Sequence, residues 1–430
     1  MALWLSPSPL PAACLSGREC RVGAVVEYAG PENAVASVLL TASSIDGQAV
    51  TPFRLRLITT DAILRPGAEV SFRAALKPDT ANYYSLSERI TATAYAPAHT
   101  ISIVGQRSGL SYKLLRIRQR LEEIIEGSAL SPQAGGLLSA ACLGTGEAPA
   151  DIRRAFRLTA LAHLLCVSGL HVSIVAWLIS LLLLPLRVLE GNRRRYLLLI
   201  TLVWLFVGIT GLQASAVRAA IMLTIFYIGR MTGRSAGGYN SLLLAVAAVL
   251  CFNPYWLWSP GFQMSVSAVL GLIAFARALN PIPHEYRRLR AVGMLFTVPF
   301  AATVGTLPVV MVWFGRVALL SVPVNAAATL IFPVFMVAGM LSVVAGQTLP
   351  GLWAAKIADG CCAALMRLCD AATDADMAIE HIHADATSVI AVTAIIVAAA
   401  ILLNSRQRHH RLNAATALLL ALTTLLLSHP

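Results

Sequence analysis

The sequence predicts a polytopic α-helical membrane protein of about eight to ten spans, some broken or re-entrant, preceded by a small N-terminal β-barrel domain. Two observations predict the membrane part. Of the 430 residues 57% are hydrophobic and only 13% are charged, about half the ~25% charge of ordinary soluble domains. Apolar runs of membrane-spanning length also recur from Ala160 onward, as a hydrocarbon core demands of a helix. A third observation predicts the barrel: from Cys20 to about Ile103 the chain alternates short apolar-polar runs with turn residues.

Residues 1–19, beginning MALWLSPSPLPAACLSG, lack a basic start and are interrupted by prolines, so they read as an N-terminal extension and not as a secretory signal. RVGAVVEYA, VASVLLTASSI, TPFRLRLITT, AEVSFRAAL and ITATAYA then read as strands, separated by GPEN, DGQ, RPG and KPDTAN. Alternation with turn-forming breaks is the strand signature. Five short strands within residues 20–104 suggest an OB-like barrel, a fold that often presents a face to single strands. Arg54, Arg56, Arg73, Lys77, Tyr83 and Tyr84 are its candidate DNA-binding residues, cations for phosphates and aromatics for bases. The two tyrosines fit equally as edge packing.

Residues 105–159 read as surface helices. GLSYKLLRIRQRLEEIIE places Leu114, Leu115, Leu121, Ile124 and Ile125 to one side and four cations around the other, the pattern of a helix lying on membrane lipid. The spans are expected at Ala160–Leu186, Tyr196–Leu212, Ala214–Gly229, Tyr239–Trp258, Phe262–Leu279, Ala291–Trp313, Val317–Ala345, Thr387–Leu403 and Ala414–Leu427. Residues 160–345 form the main membrane domain, 346–386 an amphipathic and acidic connector, and 387–430 a terminal hairpin. The net charge of +12 is nearly all arginine and gathers in RVLEGNRRR, RMTGR, residues 277–290 and RQRHHR. Cytoplasmic placement of these loops follows the positive-inside rule and puts the barrel outside. Parity then requires either that Gly351–Cys369 crosses as an amphipathic helix or that a segment broken by Pro299, Pro308, Pro323 or Pro333 is re-entrant. Irregular backbone at that depth is tolerated where it lines a cavity.

Ionisable groups inside spans are costly and mark function. Here they are His163, His171 and Arg218, with Ser168, Gln213, Ser215, Gln263, Ser265 and Asn325 around them. In HLLCVSGLHV, Ser168 precedes His171 by three residues, within hydrogen-bond reach on a helix, and Gly169 permits a close approach or a break. Three readings compete: an intramembrane serine hydrolase using Ser168 and a histidine, a metal site, for which two histidines are too few, and a polar interface or conduit lining. Arg218, about four residues into its span, either snorkels to the interface or offers a fixed cation to a passing phosphate. The eight cysteines fit neither a disulfide framework nor a zinc pattern, and no cofactor is indicated.

Together these segments resemble the ComEC family of competence proteins. RRAFRLTALAHLLCVSGLHV is similar to the family's H-L-L-x-x-S-G-L-H signature. GLQASAVRAAIM, NPYWLWSPGFQMSVSAVLG, GTLPVVMVWFG with SVPVNAAATLIFPVF, and upstream ANYYSLSERITATAY match further segments in family order. The resemblance implies a non-enzymatic inner-membrane channel that passes single-stranded DNA into the cytoplasm during natural transformation. On this reading His163, Ser168, Gly169, His171, Arg218, Gln263, Ser265 and Asn325 line or shape the conduit. The implied partners are an external DNA receptor, a retractable competence pilus and a cytoplasmic motor or helicase; an oligomer is also compatible. No H-x-H-x-D-H cluster occurs in the 430 residues, so degradation of the complementary strand is assigned to a separate nuclease. An intramembrane hydrolase and a small-solute permease are the alternatives.

Overall fold

The structure is a computed structural model that describes residues 19–29, 36–59, 64–78, 90–145, 148–183, 193–233, 237–276, 278–280, 282, 285–315, 317–318, 320–375, 378–379 and 386–404. Tyr83, Tyr84 and the expected span Ala414–Leu427 lie outside the described residues.

The N-terminal part contains strands β1 (Glu19–Ala29), β2 (Ala36–Ile45), β3 (Gln48–Thr59), β4 (Ala68–Ala75), β5 (Lys77–Pro78), β6 (Ile90–Tyr95) and β7 (Ser102–Gln106). All five expected runs form strands. β2 and β3 join through Asp46-Gly47, both at positive φ (49° and 83°), the two-residue turn whose twist suits a hairpin. Burial alternates along β4, with Val70, Phe72 and Ala74 inward and Ser71 and Arg73 outward. The inward residues form a core with Val22, Leu40, Leu55 and Leu57.

The expected small OB-like barrel does not close. The strands make one seven-stranded mixed sheet in the order β5-β6-β3-β2-β1-β4-β7, in which β3 and β6 pair in parallel. β4 comes up against β6, but no ladder between them is found among the described residues. The chain itself bridges this seam, running from β4 through buried Leu76 into β5, which pairs with β6. Two strands escaped the sequence reading because β5 has two residues and β7 is largely exposed, so neither carries an alternating apolar signal.

The helical part contains α1 (Leu110–Glu126), α2 (Pro132–Leu143), α3 (Ala150–Leu158), α4 (Gly169–Leu182), α5 (Arg193–Ile209), α6 (Ala214–Thr232), α7 (Gly238–Phe252), α8 (Pro260–Gly271), α9 (Arg287–Phe314), α10 (Ser321–Ala345), α11 (Leu349–Asp374) and α12 (Ala386–Asn404). Among the described residues four helices are long and apolar enough to cross a membrane: α6, α9, α10 and most of α12. α4, α7 and the α8 segment are shorter apolar helices.

Prolines do not interrupt α9 or α10, which run through Pro299, Pro308 and Pro333. The irregular backbone lies elsewhere. The expected span from Ala160 is a 3-10 turn (Ala162–Leu165), an extended break at Cys166–Ser168 and then α4. α7 is separated from α8 by a 3-10 segment, Pro254–Trp258, and α8 ends in a π-helical turn, Leu272–Ala276. Asn404 on α12 donates to the Ala274 carbonyl of that turn at 2.8 Å, satisfying an acceptor that a π-turn displaces from the regular ladder.

Packing follows from residue size. α11 buries Ala355, Ala358, Cys362, Leu365 and Cys369, a heptad-like stripe of mostly small residues, against the matching face of α10. α8 and α9 cross at Gly271 and Gly305: a Cβ on Gly305 would lie 2.8 Å from Gly271 Cα and press on the Ser267 carbonyl. The start of α2 is tied to α11, because the amide and hydroxyl of Ser131 both donate to Asp359 Oδ1, at 3.0 and 2.8 Å.

Candidate nucleic-acid face and membrane site

The outer face of the sheet carries the first candidate site. Arg21 and Arg73 are cross-strand partners on β1 and β4, so they share a face, and the Arg21 Nε donates to Ser71 Oγ at 3.1 Å. Lys77 and Arg56 both pair with Thr93 of β6, from opposite sides. A cleft of about 920 Å³ lies along the seam, lined by Arg21, Arg73, Lys77, Thr93, Tyr95 and, as its one carboxylate, Glu19. Tyr95 is 59% exposed, a free aromatic face beside three cations.

Of the residues expected to meet DNA, Arg73 and Lys77 line this cleft. Arg54 sits on β3, where its Nε meets Glu27 Oε2 at 3.0 Å, so its charge is already balanced, and Thr41 also donates to that carboxylate. Arg21 and Tyr95 were missed. Their signal was present, since register places Arg21 opposite Arg73 and Tyr95 beside Ile58, but register is set by pairing and is not read from one strand alone.

The second site centres on the break before α4. Ser168 is the N-cap of α4 and forms a capping box with His171, in which the Ser168 amide donates to His171 Nδ1 at 3.0 Å. The imidazole therefore accepts from the Ser168 backbone, an arrangement that stabilises a helix start. It is not the base-to-hydroxyl contact of a nucleophilic pair. The ring of His171 is fully buried and packs at 5.0 Å, tilted by 41°, against Phe332 of α10, while its Nε2 has no hydrogen-bond partner among the described residues. His163 is on the 3-10 turn, exposed, with Nδ1 at 3.2 Å from the Ala160 carbonyl. The two histidines thus sit on different elements, and not on one continuous helix as their spacing suggested. Among the described residues no group of three metal-ligating side chains is placed to hold an ion.

α6 satisfies the extended backbone of the break: Ser215 donates to the Val167 carbonyl at 2.6 Å, which is how non-helical backbone persists away from water. Just before α6, Gln213 donates to the carbonyl of Gly144, the residue that ends α2, at 2.7 Å. One turn further along α6, Arg218 is 4% exposed. It donates to Met222 Sδ at 3.3 Å and to Ser265 Oγ of α8, and its Nε has no hydrogen-bond partner among the described residues. Burial rules out the snorkelling alternative. The structure brings Gly169, Arg218 and Ser265 together, and leaves two expected residues apart. Gln263 bridges Trp313 Nε1 and the Leu257 carbonyl, each at 2.8 Å, while Asn325 donates to the Ser321 carbonyl within α10 at 2.7 Å.

Outside the apolar spans, α1 lies on the end of α5: Leu114 and Arg118 each come within 3.0 Å of where a Cβ on Gly208 and Gly211 would stand. Beside Arg118, burial pushes the Glu122 carboxyl up to about 7; Arg118 opposes the shift, and Glu126 and Glu123 add to it.

An N-terminal mixed sheet followed by several apolar helices with broken backbone defines a multi-pass membrane protein. The chain belongs to the Competence protein family, which matches residues 143–409. It is 27% identical over 227 residues to ComE operon protein 3 of Bacillus subtilis (strain 168), across 53% of this chain and 28% of that protein. It is 28% identical over 227 residues to the uncharacterized protein YcaI of Escherichia coli (strain K12), across 49% of this chain and 30% of that one. Each alignment therefore spans less than a third of the relative's own length. No solved structure matches.

Proposed function

We propose that the protein passes a single DNA strand across the cytoplasmic membrane during natural transformation. The β-domain (residues 20–104) faces outward and captures the strand, and the helices of residues 160–345 carry it. The observation that carries this reading is the seam cleft, where Arg21, Arg73, Lys77 and Tyr95 face one carboxylate. Cations spaced along a groove bind the phosphate chain and an exposed aromatic stacks on bases, which together favour single strands without sequence preference. Kinship with the competence proteins supports it. Buried Arg218, a cation with no carboxylate partner among the described residues, supports an anionic cargo in the membrane half. On this reading the strand is delivered by an external receptor and pilus, drawn in by a cytoplasmic motor or helicase, and freed of its complement by a separate nuclease.

The test is deletion of the gene, with transformation scored and labelled DNA imaged. The expected result is loss of transformants with DNA retained outside the cytoplasmic membrane. Labelled DNA reaching the cytoplasm of the deletion strain at the parental rate would refute the reading.

A further inference from the structure

We infer that the first turn of α4, together with Arg218 and Ser265, forms a binding site for one phosphodiester of the passing strand, an inference that rests on the proposed function. A helix start presents four backbone N–H groups without intrahelical partners and the positive end of the helix dipole; at α4 the capping box takes up those of Ser168 and His171, and those of Gly169 and Leu170 remain for an anion when a second positive group joins them. That second group is Arg218. Its Nη2 lies 3.7 Å from where a Cβ on Gly169, the first residue of α4, would stand.

Arg218 is buried, and among the described residues its Nε is unpartnered and its hydrogen bonds go to an uncharged thioether and a hydroxyl. No Asp or Glu forms an ion pair with it among the described residues. Two positive features thus face each other, and among the described residues no carboxylate pairs with Arg218, in a setting where an unpaired charge is strongly disfavoured. Gly169 has no side chain to cover the amides of the turn. Access comes through the break itself, where Cys166 is exposed and Leu170 is 38% exposed. Arginine suits this task because its fork matches two phosphate oxygens and its charge does not titrate away.

Exposed Cys166 provides a local reporter. The full chain in detergent is treated with a maleimide in the presence of oligothymidylate, of the same oligomer with uncharged methylphosphonate linkages, or of phosphatidylglycerol vesicles; a Cys166→Ser variant identifies the signal. Oligothymidylate is expected to protect Cys166 and the uncharged oligomer is not. Gly169→Ala, whose methyl meets only ordinary contacts at 3.7 Å, and Arg218→Gln are each expected to require about tenfold more oligonucleotide. Arg218→Lys is expected to retain part of the protection. Thermal melting of each variant separates loss of the site from loss of the fold.

Protection by the vesicles and not by DNA would assign the site to a lipid phosphate and overturn the inference. So would oligothymidylate that binds the chain but leaves Cys166 reactive, an outcome in which the proposed function still stands. Absence of any oligothymidylate binding would overturn both.

Discussion

Simultaneous replacement of Arg21, Arg73 and Lys77 by glutamine removes the three cations that line the seam cleft. Arg21 and Arg73 point outward from the sheet and Lys77 is exposed, so the sheet core is untouched and stability changes little. If each cation neutralises one phosphate of a single strand, each contributes about −0.7 to the slope of log affinity against log salt, and three contribute about −2. Raising salt from about 50 to about 200 mM then weakens the parent by roughly 18-fold more than the triple variant. The assay is fluorescence anisotropy of labelled oligothymidylate with the full chain in detergent across that salt range. Arg54→Gln is the internal control: Glu27 already balances Arg54 at 3.0 Å, so the slope is expected to stay near the parental value. Tyr95→Ala is expected to cost about 1–3 kcal/mol of binding at every salt concentration, because stacking does not release counterions. Equal slopes in the parent and the triple variant would refute the assignment of the cleft.

Three further predictions concern the helical part. Glu122 holds its proton to about pH 7 in the folded chain, against about 4.3 when unfolded; the folded state binds more protons between these values, so stability falls as pH rises through that window. Glu122→Gln is expected to flatten this dependence and to stabilise by about 1–3 kcal/mol at pH 8, read from melting curves between pH 5 and 8. Gly305→Ala sets a Cβ against the Gly271 backbone, and is expected to force α8 from α9 at about 1–3 kcal/mol, measured as a lower melting temperature. Ser168→Ala removes the N-cap of α4 and is expected to cost about 1 kcal/mol, with no fluorophosphonate labelling of the parent; labelling at Ser168 would instead revive the hydrolase reading.

The fold was legible where a local signal carried it. Alternation gave five strands, apolar length gave the long helices, and the DGQ break marked the turn that the structure closes as a hairpin at Asp46-Gly47. The open seam was not legible, because closure depends on which edges pair, and β5 is too short to announce itself. The broken backbone was legible at Gly169, read as permitting a close approach or a break, but the prolines offered as an alternative place for it were not where it fell. Proline removes a donor and clashes within its own helix, yet α9 and α10 absorb three prolines. The chain breaks instead at Cys166–Ser168, where Ser215 of another helix supplies the missing hydrogen bond. In the membrane site Arg218 stood out by its charge alone. That it meets Ser265 and the start of α4, while Gln263 braces α9, is a matter of packing between helices distant in sequence.

The outward-facing cleft has a topological consequence for cargo. The inside of the sheet is filled by its apolar core, so a strand meets the cleft from outside and threads through nothing. A cleft open to the side can take up any internal stretch of a chain, whatever lies at its termini. Circular single-stranded DNA should therefore occupy the β-domain as readily as linear DNA of the same length, and a need for an end would arise only later, within the helices.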